Sequence, residues 1–177
     1  LQPILEGTWF FSTTSRTIVG IRTQVQYIAT ANPGRLPIFE RLWLGGEFTI
    51  RGFDMRRIGP TVGDLNPEDV DPDSYRGKMV IGGNKSFLFN GEYQFVVANP
   101  VRLVAFYDTG QVQDFGNKFD RESFRTSTGV EMRIFMPVLN IPFRLIYAWN
   151  PQREGIYDDR FRPQKATVFR FAVGTTF

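Results

Sequence analysis

Apolar and polar positions alternate along most of this chain, and a period of two marks a β-strand with two unlike faces. In the closing "KATVFRFAVGTTF", Phe169, Phe171, Val173, Thr175 and Phe177 fall on one face, with Arg170, Ala172, Gly174 and Thr176 on the other. In "KSFLFNGEYQFVV", Phe87, Phe89, Tyr93, Phe95 and Val97 oppose Asn90, Glu92 and Gln94. In "FRTSTGVEMRIFMP", Val130, Met132, Ile134 and Met136 oppose Arg125, Ser127, Glu131 and Arg133, and in "TIVGIRTQVQYIA" Val19, Ile21, Val25 and Tyr27 oppose Arg22, Gln24 and Gln26. "LEGTWFF" near the start, "VRLVAFYDTGQV" at 101–112 and "FRLIYAWN" at 143–150 complete seven strands. An eighth is expected within "IFERLWLGGEFTI", and no helix longer than a turn or two.

Such strands fit either a soluble sandwich, apolar faces inward, or a membrane barrel, apolar faces on lipid and polar faces lining the lumen. Three features favour the barrel. Aromatic residues gather toward strand ends, as an interfacial girdle requires. Several strands approach the roughly 9–11 residues that cross a bilayer at a tilt. Connections alternate in length, short at "STTSR" and "NPVR" and long at 31–84, 113–123 and 151–164. The expected fold is therefore all-β: one domain over 1–177, an antiparallel transmembrane β-barrel of about eight strands. Lipid supplies no hydrogen bonds, so the sheet has to close on itself. Single-chain bacterial barrels normally have an even strand count, so seven visible strands mean one is missed or the chain is part of a larger barrel.

Composition narrows the chemistry. With no histidine and no cysteine, disulfides, Cys/His metal sites and His-based acid–base catalysis are excluded. Of 21 basic residues 17 are arginine, which favours forked pairing with carboxylates over loose solubilising charge. No basic run suggests a nucleic-acid partner. The start lacks a basic n-region and a small-residue cleavage site, so a mature protein or an excised piece is expected. The acidic, proline-bearing segment 63–78 lacks the spacing of an EF-hand loop and reads as a solvated loop; no metal and no cofactor are expected. Ser15, Ser74, Ser86, Ser123 and Ser127 lie in no catalytic signature, and Asp158 and Asp159 beside Arg160 read as rim charge; an enzyme is not expected.

The segment "GGEFTIRGFDMRRIGP", 45–60, sets Arg51 between a short β-like run and a glycine. "TIRGF" resembles the (Val/Ile)-Arg-Gly-(Phe/Tyr) motif of the BamA-like outer-membrane protein assembly factors of the bacterial surface antigen type, and of their two-partner secretion relatives. "PIFERLWLGG" upstream, then "IGP", "IGGN" and "FYDTGQV" downstream, are similar to the family's ordered motifs. The terminal "FRFAVGTTF" resembles its C-terminal signal, carried here by Phe169, Phe171, Val173, Gly174 and Phe177.

The resemblance implies that the loop, 31–84, folds back into the lumen and that its tip, Ile50, Arg51, Gly52 and Phe53, pairs with acidic wall residues. Glu92 and Asp108 are the expected partners of Arg51. Gly52 is expected to let the backbone turn, Phe53 to wedge against the wall, and Gly174 to weaken edge pairing. Arg22, Arg102, Arg125, Glu131, Arg133, Arg144 and Arg170 are expected to form an ion-pair network filling the interior. The implied function is that of the C-terminal barrel region of an outer-membrane β-barrel assembly and insertion factor, half of a barrel of about 16 strands. The implied location is the bacterial outer membrane. Expected partners are the lipid bilayer or detergent, unfolded outer-membrane proteins as substrates, assembly-machinery lipoproteins or POTRA domains, and a second copy through strand edges. The alternatives are a two-partner-secretion-type translocation pore, or a small structural outer-membrane barrel without assembly activity.

Overall fold

The computed structural model describes residues 1–31, 36–136 and 141–175. Seven antiparallel strands form one sheet in chain order: β1 (Ile4–Thr14), β2 (Thr17–Tyr27), β3 (Lys85–Ala98), β4 (Val101–Gln113), β5 (Arg125–Met136), β6 (Ile141–Gln152) and β7 (Thr167–Val173). Each strand pairs with its sequence neighbours, and β1 and β7 are not paired with each other. The sheet is open, as a part of a barrel has to be. No helix among the described residues is long and apolar enough to cross a membrane.

Short turns join β1 to β2 and β3 to β4 at one end of the sheet, and 137–140, between β5 and β6, lie outside the described residues. The long connections, 28–84, 114–124 and 153–166, all leave from the opposite end. The eighth strand expected within 38–50 is absent from the sheet. There the chain makes a 3-10 turn at Ile38–Glu40 and single bridges, Leu42 to Gly83 and Leu44 to Ile58. Its apolar residues serve a different end: Leu42, Leu44 and Ile50 are buried inside the protein, against the inner face of the sheet. Helix α1 (Val62–Leu65) is one turn, started by a capping box in which Thr61 and Asp64 bond each other's backbone N–H.

Register divides the strands into two faces. On the outer face Tyr93, Phe95, Leu103, Tyr107, Val130, Met132, Tyr147, Trp149, Phe169 and Phe171 are exposed. On the inner face Asn90, Glu92, Gln94, Asp108, Ser127, Glu131, Arg133, Arg144 and Asn150 are buried. Oily side chains outward and charges inward is the reverse of a water-soluble sheet and suits a lipid surround. The inner face is not wholly polar, however. Leu88, Val104, Phe106, Ile146, Ala148 and Ala172 also point inward and are buried: Leu88 packs with apolar residues of the long loop, and Phe106, Ile146, Ala148 and Ala172 form a cluster of their own.

The outer apolar band slants across the register. On β1 it runs from Leu5 to Phe11, level with Val25 to Val19 of β2, and so reaches the end away from the short turns. On β4 it ends at Tyr107, beyond which come Thr109, Gln111 and Gln113, and on β7 it occupies Phe169 to Val173, nearer the short-turn end.

The connection 28–84 returns over the inner face. Ile50, Phe53, Leu42, Leu44 and Ile58 from this loop cluster with Ile28, Leu88, Val112 and Ile156, and Phe115 packs against them. This cluster carries the loop tip to mid-sheet.

Candidate functional site

The tip of the long loop is a tight, self-bonded turn. Gly45 and Gly46 take φ of +103° and +104°, a region that side-chain-bearing residues rarely enter. Gly46 N–H donates to Phe53 O (2.9 Å), Gly45 N–H to the Thr49 hydroxyl (2.9 Å) and Phe53 N–H to Ile50 O (3.2 Å). These bonds present residues 50–53 as a rigid hook. A Cβ on Gly45 would lie 2.3 Å from Asp54 O, so the hook closes only with glycine there.

Arg51 projects from the hook onto the inner face and is fully buried. Its Nε and Nη2 donate to the two carboxylate oxygens of Asp108, each at 2.7 Å, in the bidentate geometry that suits a guanidinium. Its Nη1 donates to Glu92 Oε1 (2.7 Å) and Glu131 Oε2 (3.0 Å), and its backbone N–H donates to Asp108 Oδ2 (3.1 Å). The guanidinium carbon sits 3.9 Å from the centre of the Phe106 ring, a cation–π contact on the remaining face. Glu92 is on β3, Asp108 and Phe106 on β4, and Glu131 on β5.

Two further arginines complete the cluster. Arg133 donates to both Glu92 and Glu131, and Arg144 donates from Nε and Nη2 to the two oxygens of Glu131, each at 2.8 Å. Three guanidiniums thus face three carboxylates, with side-chain exposures of 5% or less. Burial of this many charges is tolerable only because every one has several partners. The Asn90 amide also donates to Asp108 (2.8 Å), and the Gln94 amide to Glu92 (2.9 Å).

The wall also binds the hook through its carbonyls. Arg144 donates to Glu47 O, Arg22 to Phe48 O (3.2 Å), Asn90 to Thr49 O (2.6 Å), and Asn150 and Gln164 to Gly52 O (2.8 and 3.1 Å). The backbone turns at Gly52, in the bond from Phe53 N–H to Ile50 O, but with no positive φ, so the turn alone does not demand glycine. It is required by closeness: a Cβ there would lie 1.7 Å from Asn150 Oδ1 and 2.4 Å from Ser127 Oγ.

The single network expected of the inner arginines divides instead into separate contacts. Arg133, Arg144 and Glu131 join Arg51. Arg22 pairs with Glu6 (2.8 Å), Arg170 with Asp54, Arg102 lies over the Phe135 ring, and Arg125 donates to the backbone oxygens of Glu122 and Phe124. Register places Arg102 opposite Arg133, and it meets the cluster through Gln94 (3.4 Å), while Arg22 and Arg170 lie two strands from the carboxylates at their own level, Asp108 and Glu131.

At the C-terminal end, Phe169, Phe171 and Val173 are exposed on the outer face. Gly174 follows β7 with φ +107° and its N–H donates to Pro142 O (3.0 Å), so it continues the pairing to β6 by one bond. Phe177 lies outside the described residues. Asp158 accepts from Arg162 and from the backbone of Arg160 and Arg162 within the 153–166 connection, which holds its carboxyl below the usual range although partial burial opposes this. Among the described residues no group of acidic side chains is arranged to hold a metal ion.

Sequence reading overlooked Phe106, Asn150 and Gln164 as contacts of the hook. Phe106 stands two residues before Asp108 and therefore shares its face, a signal open to period-two counting. Gln164 lies in a connection and has no such signal.

The model of the Omp85 superfamily domain matches residues 4–177. The chain belongs to the Omp85 superfamily. Its members reside in the bacterial outer membrane, and the exposed aromatic face is the surface that meets lipid. Among curated relatives, the outer membrane protein assembly factor BamA of Nitratidesulfovibrio vulgaris is 27% identical over 180 residues, covering 100% of this chain and 20% of that protein. The factor of the same name from Neisseria meningitidis serogroup B is 28% identical over 134 residues, 72% of this chain and 16% of that protein. The crystal structure of BamA from Haemophilus ducreyi lacking POTRA domains 1–3 superposes with a TM-score of 0.71 at 18% identity, over 98% of this chain and 34% of that one. This Omp85 chain therefore spans a fifth or less of the curated relatives' length and corresponds to a C-terminal part of the barrel.

Proposed function

We propose that this chain is the C-terminal barrel region of a factor that assembles and inserts outer-membrane β-barrel proteins, with the Arg51 hook locking its long loop inside the lumen. In the closed barrel the inner face of the sheet becomes the lumen wall, and the hook lies against it. The observation that carries the reading is the five-bond seating of Arg51 on three wall carboxylates from three strands, in a chain whose curated relatives are assembly factors. Withdrawing a guanidinium so fully paired leaves uncompensated buried charge, so the loop stays seated and braces β3, β4, β5 and β6 against one another. A braced wall leaves compliance to the sheet edges, where unfolded outer-membrane proteins pair strand by strand through exposed backbone groups. Phe169, Phe171 and Val173 would serve the chain's own recognition by assembly machinery, with lipoproteins and POTRA domains as partners of the intact protein.

The test is reconstitution of the intact protein in liposomes, followed by insertion of an unfolded outer-membrane barrel as acquisition of protease resistance. Faster insertion than in empty liposomes, and its loss in Arg51→Ala, are expected. Equal insertion with and without the protein overturns the assembly role, and full activity in Arg51→Ala overturns the lock.

A further inference from the structure

The wall that receives Arg51 remains a defined receptor when Arg51 is subtracted from it. Asp108 keeps the Asn90 amide at 2.8 Å, Glu92 keeps Arg133 and the Gln94 amide, and Glu131 keeps Arg133 and both bonds from Arg144. Each carboxylate is carried by a strand, and each keeps partners that are themselves on strands. The Phe106 ring supplies a floor for a flat cation. Without Arg51 the balance is three carboxylates against two guanidiniums, a deficit of one positive charge in a buried place.

We infer that the strand wall is a preformed guanidinium receptor, separable from the loop that fills it, and that it takes an arginine side chain of another polypeptide segment whenever the hook is withdrawn. The inference deepens the proposed function and rests on it: a segment passing the inner face competes with Arg51 for the same four oxygens. Shape sets the selectivity. Asp108 Oδ1 and Oδ2, Glu92 Oε1 and Glu131 Oε2 converge on a planar, forked cation. An ammonium group, with three donors radiating from one point, satisfies fewer of them and stacks less well on Phe106.

The experiment uses Arg51→Gly in the intact protein folded in detergent micelles, and reads the temperature at which the compact band is lost on a gel. Guanidinium or methylguanidinium chloride is added at millimolar concentrations, with sodium chloride and methylammonium chloride as controls of equal ionic strength. Arg51→Gly is expected to melt well below the parent, and guanidinium to return most of the lost midpoint while methylammonium returns little. Adding Asp108→Asn to Arg51→Gly is expected to abolish the response. A lowered midpoint that guanidinium does not raise, or that methylammonium raises equally, overturns the receptor and leaves the lock standing. A midpoint equal to the parent's overturns the lock itself. Should Arg51→Gly fold poorly, refolding yield replaces the midpoint: a rise with guanidinium but not with sodium chloride supports the receptor, and equal yields overturn it.

Discussion

The middle of the inner face and its flanks use the same residue types to different effect. At the centre, Arg51, Arg133 and Arg144 meet Glu92, Asp108 and Glu131 with almost no exposed side-chain surface. On the flanks, Arg22 meets Glu6 with side-chain exposures of 13% and 38%, and Arg170 meets Asp54 with 20% and 26%. Water screens the flanking pairs and offers each partner an alternative; at the centre it is excluded, and each charge depends on its neighbours. Chemistry alone does not distinguish a lock from a surface contact. Burial and the number of partners do.

The largest effect is expected from Arg51→Ala. Removing one member of a buried ionic cluster typically costs about 3–5 kcal/mol, because the charges left behind remain desolvated. The folded barrel in detergent should lose its compact gel band at a clearly lower temperature, and an unchanged melting profile would remove the distinction between centre and flank. Arg51→Met combined with Asp108→Asn restores the charge balance, and should melt above the two single changes summed.

Gly52→Ala is next. A methyl group placed 1.7 Å from Asn150 Oδ1 has to displace that side chain and its bond to Gly52 O. Overpacking of this kind costs about 1–3 kcal/mol, readable in the same melt.

Arg22→Gln tests the flank, where the loss should stay under about 1 kcal/mol and shrink further in high salt. A loss as deep as that of Arg51→Ala would mean that the complete barrel encloses Glu6 and Arg22 as tightly as the centre.

The smallest effect concerns pH and the connection 114–124. The Ser123 hydroxyl, then the backbone N–H of Ser123 and of Glu122, donate to Asp120 and hold its carboxyl below the usual Asp range. A depressed carboxyl stabilises above its unfolded value and loses that contribution as pH falls through its folded value. The connection should therefore keep its order at neutral pH and loosen only below about pH 4, seen as faster proteolysis by an acid-active protease. Loosening already at pH 6 would assign its order to other contacts.

The strand faces were readable from sequence because alternation needs only the local order of residues. Tyr93 and Glu92 take opposite sides of β3 whatever surrounds them. Alternation put Glu92 and Asp108 on the polar face, the resemblance made them partners of Arg51, and the structure brings both to it. What alternation does not encode is depth. Leu42, Leu44 and Ile50 have the composition of a lipid-facing strand, yet they are buried within the protein, since an apolar run looks alike against lipid or against protein. Phe106 looks out of place on a charged face until Arg51 is present to cover it. Gly52 gave no sign of its near-contact with Asn150, 98 positions later, because a close approach is a property of two distant segments.

The diagonal course of the outer apolar band also fixes the posture of the sheet. Hydrocarbon is a flat slab, so a greasy stripe that descends from Leu5–Phe11 on β1 to Phe169–Val173 on β7 stays inside it only if every strand leans from the membrane normal. The tilt of this barrel is thus written in where its phenylalanines stop.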